Sequence, residues 1–301
     1  GVYELQYSGT ANVKWFDTVQ LALDSELPLD WGDEDYIITD TLSLTTTKDL
    51  YWKSSGAKII FNPAISQRSV ISLDCGPFNH SIDGVLNIDA NQKAFIGFNA
   101  SSTAGADIKL GLRIENIYRA DVSFTGGDGI LLSGYFENIV IDNPIIKNCL
   151  MATGAGISGS QGIFGITVTR SGDYEATNIV INNPYIENVY SEDPSYEDDQ
   201  DGIRVFTRYA PATGQSASSF SINGGYIKNV RGRSVKGQAE QGFVDGLTLI
   251  RDTTSNGGVS GVLAQNADIE FQTGGGYITN IQYQYDSFLP RRIARFIQAD
   301  T

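Results

Sequence analysis

The sequence predicts an all-β fold, a right-handed single-stranded parallel β-helix closed at one end by a short N-terminal helix. Three observations carry that expectation. A dozen residues recur at a fixed offset, glycine and asparagine mark regularly placed turns, and helical periodicity is confined to one short segment. "NIVIDNPIIKNC" (138–149) returns 40 residues later as "NIVINNPYIENV" (178–189), and more loosely as "SFSINGGYIKNV" (219–230). Repeats at this period point to stacked supersecondary units.

Each copy reads as two short strands hinged at "DNP", "NNP" or "NGG", where Pro or Gly interrupts a single long strand. A third strand precedes each copy and opens on a glycine: "GILL" at Gly129, "GIFGITV" at Gly162, "GIRVF" at Gly202 and "GFVDGLTL" at Gly242. Three strands per repeat describe one coil of a parallel solenoid. An antiparallel sandwich would instead show hairpin turns at consistent places, and "INGG" and "SNGG" do not supply them. Equivalent residues of stacked coils lie about 4.8 Å apart. Asn148, Asn188 and Asn229 should therefore form an inward hydrogen-bonded ladder, as should Asp142, Asn182 and Asn223. Lys147, Glu187 and Lys228 alternate in sign down a column, which makes Glu187 a structural charge.

The first quarter differs. Residues 15–25 offer a helical apolar face of Phe16, Val19, Leu21, Ala22 and Leu23. "DYIITDTLSL" and "AKIIFNPA" then read as strands. Residues 1–56 form a cap with the first strands, and residues 57–301 form the solenoid, the two making one structural unit.

Composition narrows the function. The chain has 301 residues and a net charge of −14, which opposes long-range attraction to nucleic acid or an anionic membrane. No apolar run is long enough to cross a membrane, and no leader pattern opens the chain. An acidic polysaccharide stays open as a partner, because local basic residues can build subsites inside an acidic shell. Cys75 and Cys149 fit no metal spacing; they are either two buried thiols, the favoured reading, or a disulfide. No cofactor and no His/Cys metal site is expected. The single histidine, His80, reads as structural and leaves little basis for Ser-His-Asp or Cys-His catalysis.

"VKWFDTVQLALDS", "LPLDWGDEDYIITDTLSL" and "GAKIIFNPA" (within 13–64), with the repeats of 110–285, resemble phage tailspike and capsule-depolymerase proteins of the pectate-lyase-like β-helix superfamily. The family's glycine-aspartate loop before the helix is absent or shortened here, at "WFDTVQ". The resemblance implies a homotrimer at the tip of a phage tail, outside the host cell, that binds and cleaves a bacterial surface polysaccharide. It also implies a head-attachment segment upstream of Gly1.

Glycoside hydrolysis needs two carboxyl groups in different protonation states. Aligning the strands on their glycines places Asp128, Gln161, Asp201 and Gln241 in one column, with Asp128 and Asp201 two coils, about 9–10 Å, apart. Asp198 and Asp199 crowd Asp201 in "SEDPSYEDDQDGIRV", and crowding raises carboxyl pKa values. The catalytic candidates are Asp201, Asp128, Asp199 and Asp198. "DDQDGI" and "GGDGI" also resemble patterns of β-helical polygalacturonases, although their Gly-His-Gly and Arg-Ile-Lys motifs are absent. The bland readings are that Asp before Gly is a turn residue and that Glu197, Asp198, Asp199 and Asp201 form a solvated loop or a calcium site.

Arg204 falls in register with Leu131, Phe164 and Val244 on this alignment, so it breaks an apolar column. A guanidinium there suits uronate or sulfate groups, and Arg170 and Arg208 extend it. Tyr174, Tyr190, Tyr196 and Tyr209 lie between strands, where sugar rings could stack. A polysaccharide lyase is the rival activity, with Arg204, Tyr209, Arg233 and Lys236 as candidate bases. A non-catalytic glycan-binding solenoid is the third reading.

Overall fold

A computed structural model describes residues 9–120, 126–152, 162–192, 200–207, 218–251, 269–285 and 295–298. The described residues are all-β, with 68% of them in strands and 4% in helix. Every ladder between named strands is parallel, and the strands fall into three ladders that the chain visits in rotation. Ladder C contains Gln67–Asp74, 94–102, 127–134, Ile163–Thr169, Gln200–Phe206, 235–239 and 269–273. Ladder A contains 107–110, 138–142, Asn178–Asn182, Ser219–Asn223, 241–245 and 275–279. Ladder B contains Leu112–Arg119, Ile145–Met151, Tyr185–Ser191, Tyr226–Val230, Thr248–Arg251 and Gln282–Tyr285.

Inward side chains form continuous apolar stacks. Ile114, Ile146, Ile186, Ile227 and Leu249 follow one another down ladder B, all buried. Phe98, Ile130, Ile166, Ile203 and Val235 do the same down ladder C. Burying each such side chain contributes about 1.5–3 kcal/mol. Cys149 continues the column of Ile117 and Val189 as a small hydrophobe. Both cysteines are free and buried, and burial pushes the Cys75 thiol up to about 12. His80 occupies an inward position between Leu50 and Ile108 on ladder A. Its ring nitrogens lack well-formed hydrogen bonds, and burial lowers its pKa, only partly offset by the Cys75 backbone.

The corner from A to B is stereotyped. Asn143, Asn183 and Gly224 adopt φ of 49°, 48° and 63°, a left-handed conformation that Asn and Gly tolerate best. Both expected amide columns hydrogen-bond. Asn188 donates to Asn148 at 3.0 Å, Asn229 to Asn188 at 3.4 Å and Asn182 to Asp142 at 2.8 Å. Asn148 and Asn188 are not fully inward, however: both are half-buried, whereas Asn229 is buried, and with φ of 57°, 61° and 54° all three bend the strand. The Lys147–Glu187–Lys228 column forms ion pairs at 3.5 and 3.1 Å. Burial disfavours the Glu187 charge, but hydrogen bonds from Lys228 and Tyr185 outweigh it and lower the pKa.

The helix is shorter than its sequence suggests, Val19–Asp24, capped by the Thr18 side chain. A 3-10 turn, Val13–Trp15, takes up the start of the expected segment. Ala22 and Leu23 are buried, but Leu21 is 49% exposed and does not belong to the apolar face. Gln20 bonds both the backbone N–H and C=O of Ser43. That residue lies on Leu42–Thr45, whose ladder partner is Gln67–Asp74. The helix therefore satisfies an otherwise open strand edge, which is what a cap must do.

Candidate functional site

The inward stacks run down all three ladders, but beside its stack ladder C carries columns that mix charged and aromatic residues, Asp128, Phe164 and Asp201 among them. Its register corrects the sequence alignment. Gly129 lies in the column of Gly97, Gly165 and Gly202, not of Gly162 and Gly242. A Cβ on Gly129 would stand 2.5 Å from the Gly165 carbonyl oxygen, and one on Gly165 would stand 2.5 Å from that of Gly202. Each strand here is too close to the next for a side chain. Asp128 and Asp201 consequently face Phe164 from either side. Gln241 lies on ladder A, opposite Ser219, and Gln161 lies outside the described residues. The expected two-strand separation of the aspartates, about 9–10 Å, stands on the corrected register.

Asp128 is 3% exposed. Its Oδ1 makes no hydrogen bond, and the nearby Thr167 hydroxyl does not reach good geometry. Burial raises its pKa to about 6, against the weaker opposing pull of Thr167, Arg204, Arg119 and Arg68. Asp201 has no exposed surface. Its Oδ1 accepts from Arg233 Nε at 2.9 Å and from the Arg233 backbone N–H at 3.2 Å, and Arg233 Nη1 reaches Glu270 at 3.1 Å. The two carboxyls therefore have opposite surroundings. One is desolvated and kept short of charge; the other is held in a buried ion pair.

Arg204 stands opposite Thr167 and Lys236, not Phe164 and Val244. Its guanidinium carbon lies 4.8 Å from the Phe164 ring centre and 5.2 Å from that of Phe206. Arg170 approaches the same Phe206 ring at 5.7 Å. These distances suit cation–π attraction. Tyr174 is 43% exposed on the connection leaving ladder C, whereas Tyr190 is half-buried on ladder B, opposite Leu150. Asp198, Asp199, Tyr196, Arg208 and Tyr209 lie outside the described residues, as does most of the calcium reading. Of the lyase bases, Arg233 is committed to Asp201 and Glu270, a poor position from which to remove a proton.

Four participants escaped the sequence reading: Phe164, Phe206, Glu270 and Arg119. Arg119 is wholly buried, with Nη1 directed at the Gly162 carbonyl oxygen at 3.4 Å and the Met151 sulfur at 3.7 Å. A signal for Phe164 was available. "DGI" at 128–130, "FGI" at 164–166 and "DGI" at 201–203 align on the second glycine of "GIFGI", not the first. No protein-family model, curated protein or solved structure matches the chain.

Proposed function

We propose that the chain winds as a right-handed parallel β-helix and that the outer face of ladder C binds and hydrolyses a bacterial surface polysaccharide, in the manner of phage tailspike depolymerases. The rotation of the chain through three parallel ladders supports the winding, since parallel crossovers are right-handed in nearly all known cases. Assembly as a homotrimer on a virion tail, outside the host cell, belongs to the same reading and rests on the resemblance of 13–64. The observation that carries the activity is the pair of differently housed carboxyls. A carboxyl with a pKa of about 6 can protonate a glycosidic oxygen near neutral pH, and a carboxylate held by Arg233 can activate water. A separation of about 9–10 Å leaves room for that water and implies inversion at the anomeric carbon.

Both carboxyls are covered, at 3% and 0% exposure, so turnover on this reading requires an opening that bares them. That burial also favours a second reading, in which the face binds glycan and the Asp201–Arg233 pair only holds it together. Incubating the protein with capsule, exopolysaccharide and O-antigen preparations separates the two. Hydrolysis yields new reducing ends without an unsaturated uronate, and Asp128→Asn abolishes them. Binding without any shortening of the polymer supports the second reading and contradicts the first.

A further inference from the structure

We infer that the open edge of the first ladder B strand, Asp35–Ile38, takes an added strand from a partner protein, an extended segment that alternates apolar with basic residues. The site is separate from ladder C and independent of the glycan reading.

The first coil has three strands, and the cap treats them differently. Leu29–Asp30, on ladder A, pairs on its outer side with Ala11–Asn12. Leu42–Thr45, on ladder C, has its edge met by Gln20 of the helix. Among the described residues, Asp35–Ile38 pairs only with 58–61 of the next coil. The Glu34 and Ile38 carbonyls accept there from the Lys58 and Asn62 N–H groups, at 2.9 and 2.8 Å. A parallel strand turns alternate residues to alternate neighbours. The N–H and C=O groups of Asp35 and Ile37 therefore point the other way, and among the described residues no backbone hydrogen bond meets them. An open row of this kind is a template for a further strand.

The cap stands off this edge and leaves a cleft of about 580 Å³, lined by Val13, Phe16 and Val19 of the cap and by Tyr36, Ile37 and Ile38 of the strand. Ile37 is 69% exposed. The rim is acidic. Asp17, Asp33, Asp35 and Asp40 are all exposed, and the only cation lining the cleft among the described residues, Lys14, is paired with Glu34. That rim sets the charge of the occupant. A second copy of this edge would bring the same carboxylates in a chain of net charge −14, and like charges set opposite one another repel. A basic segment is attracted. Backbone pairing would supply its affinity, and apolar side chains entering the cleft would fix its register.

The test selects ligands for the intact protein from a displayed library of random nonapeptides. Enriched peptides should alternate apolar residues with Lys or Arg, and added salt should weaken them. On binding, amide exchange at Asp35 and Ile37 should slow about tenfold or more. Ile37→Pro removes a donor that the pairing with 58–61 does not use, at a place where an edge strand accepts proline, and should weaken the peptides about tenfold. Asp17→Lys combined with Asp35→Lys changes only exposed side chains and should weaken them several-fold at low salt, a test that stands even if Ile37→Pro does not fold. No enrichment, enrichment of acidic peptides, binding that either folded variant leaves unchanged, or unaltered exchange at Asp35 and Ile37 overturns the inference. Slow exchange of these two amides in the free protein also overturns it. Its loss on dilution would then identify a second copy as the occupant, and its loss on deletion of residues 1–8 the chain's own end.

Discussion

Ladders B and C belong to the same circuits of the same chain, yet they use charge in opposite ways. On ladder B, Lys147, Glu187 and Lys228 alternate in sign, lie partly in water and pair at 3.5 and 3.1 Å. On ladder C, Asp128 and Asp201 are buried to 3% exposure or less, and Asp201 pairs with Arg233, itself 5% exposed, from the turn that enters the next strand of that ladder. A repeat needs only the first arrangement in order to stack. The second carries a desolvation cost that stacking does not require, and such cost is concentrated where a site performs chemistry.

The largest effect that would break the comparison is catalytic. If Asp128 is the acid, Asp128→Asn lowers the rate of polymer cleavage by about 10²–10⁴-fold, and wild-type activity declines as pH rises through about 6. Stability should move the other way. The folded pKa lies above the ordinary aspartate value of 3.8, so the folded state holds its proton more firmly. Stability from this group is complete below about 3.8 and is lost as pH rises through about 6. Asp128→Asn should therefore stabilise the protein by roughly 3 kcal/mol at pH 8 and by almost nothing at pH 3, as read from denaturant midpoints.

Next in size is the buried pair. Asp201→Ala strands the Arg233 guanidinium and should cost roughly 3–5 kcal/mol. Asp201→Leu combined with Arg233→Met should recover much of that loss. A cost below about 1 kcal/mol for the single change, the range of an exposed pair, would erase the contrast with ladder B.

Smaller effects belong to the regular columns. Asn188→Ala removes one donated and one accepted ladder hydrogen bond and leaves at φ of 61° a residue that tolerates the left-handed region less well than asparagine. Roughly 1–3 kcal/mol is expected, and Asn188→Gly should recover the backbone share. Glu187→Gln should cost no more than about 1 kcal/mol, and less in high salt. The Glu187 pKa is lowered from 4.5, so its contribution is present above pH 4.5 and is lost as pH falls through the folded value. A large, salt-insensitive loss would mean that ladder B also houses buried charge.

The same division explains what the sequence made legible. Stacking is periodic, so the Asn148, Asn188 and Asn229 column and the Lys-Glu-Lys column could be read from successive offsets of 40 and 41 residues. The N-terminal helix was legible in kind but not in extent, because Leu21 satisfies helical spacing while facing solvent. The site breaks the period and therefore misleads any alignment. "GIFGI" offers two glycines, and only the space left by the next strand selects Gly165 over Gly162. Asp128 and Asp201 fall in one column on either alignment. Phe164 and Phe206 were missed because their role depends on an arginine packed over their rings, which no spacing encodes. Glu270 was missed because it joins through Arg233, a neighbour in space rather than in any repeat.

The central claim is that ladder C keeps an acid in reserve among buried charges. It is tested most directly by following the Asp128 carboxyl carbon by NMR as pH is varied, with Asp128→Asn used to assign the signal. A midpoint near pH 6 is expected, and a midpoint at or below about 4, the ordinary range of an aspartate, would show that Asp128 is no such acid.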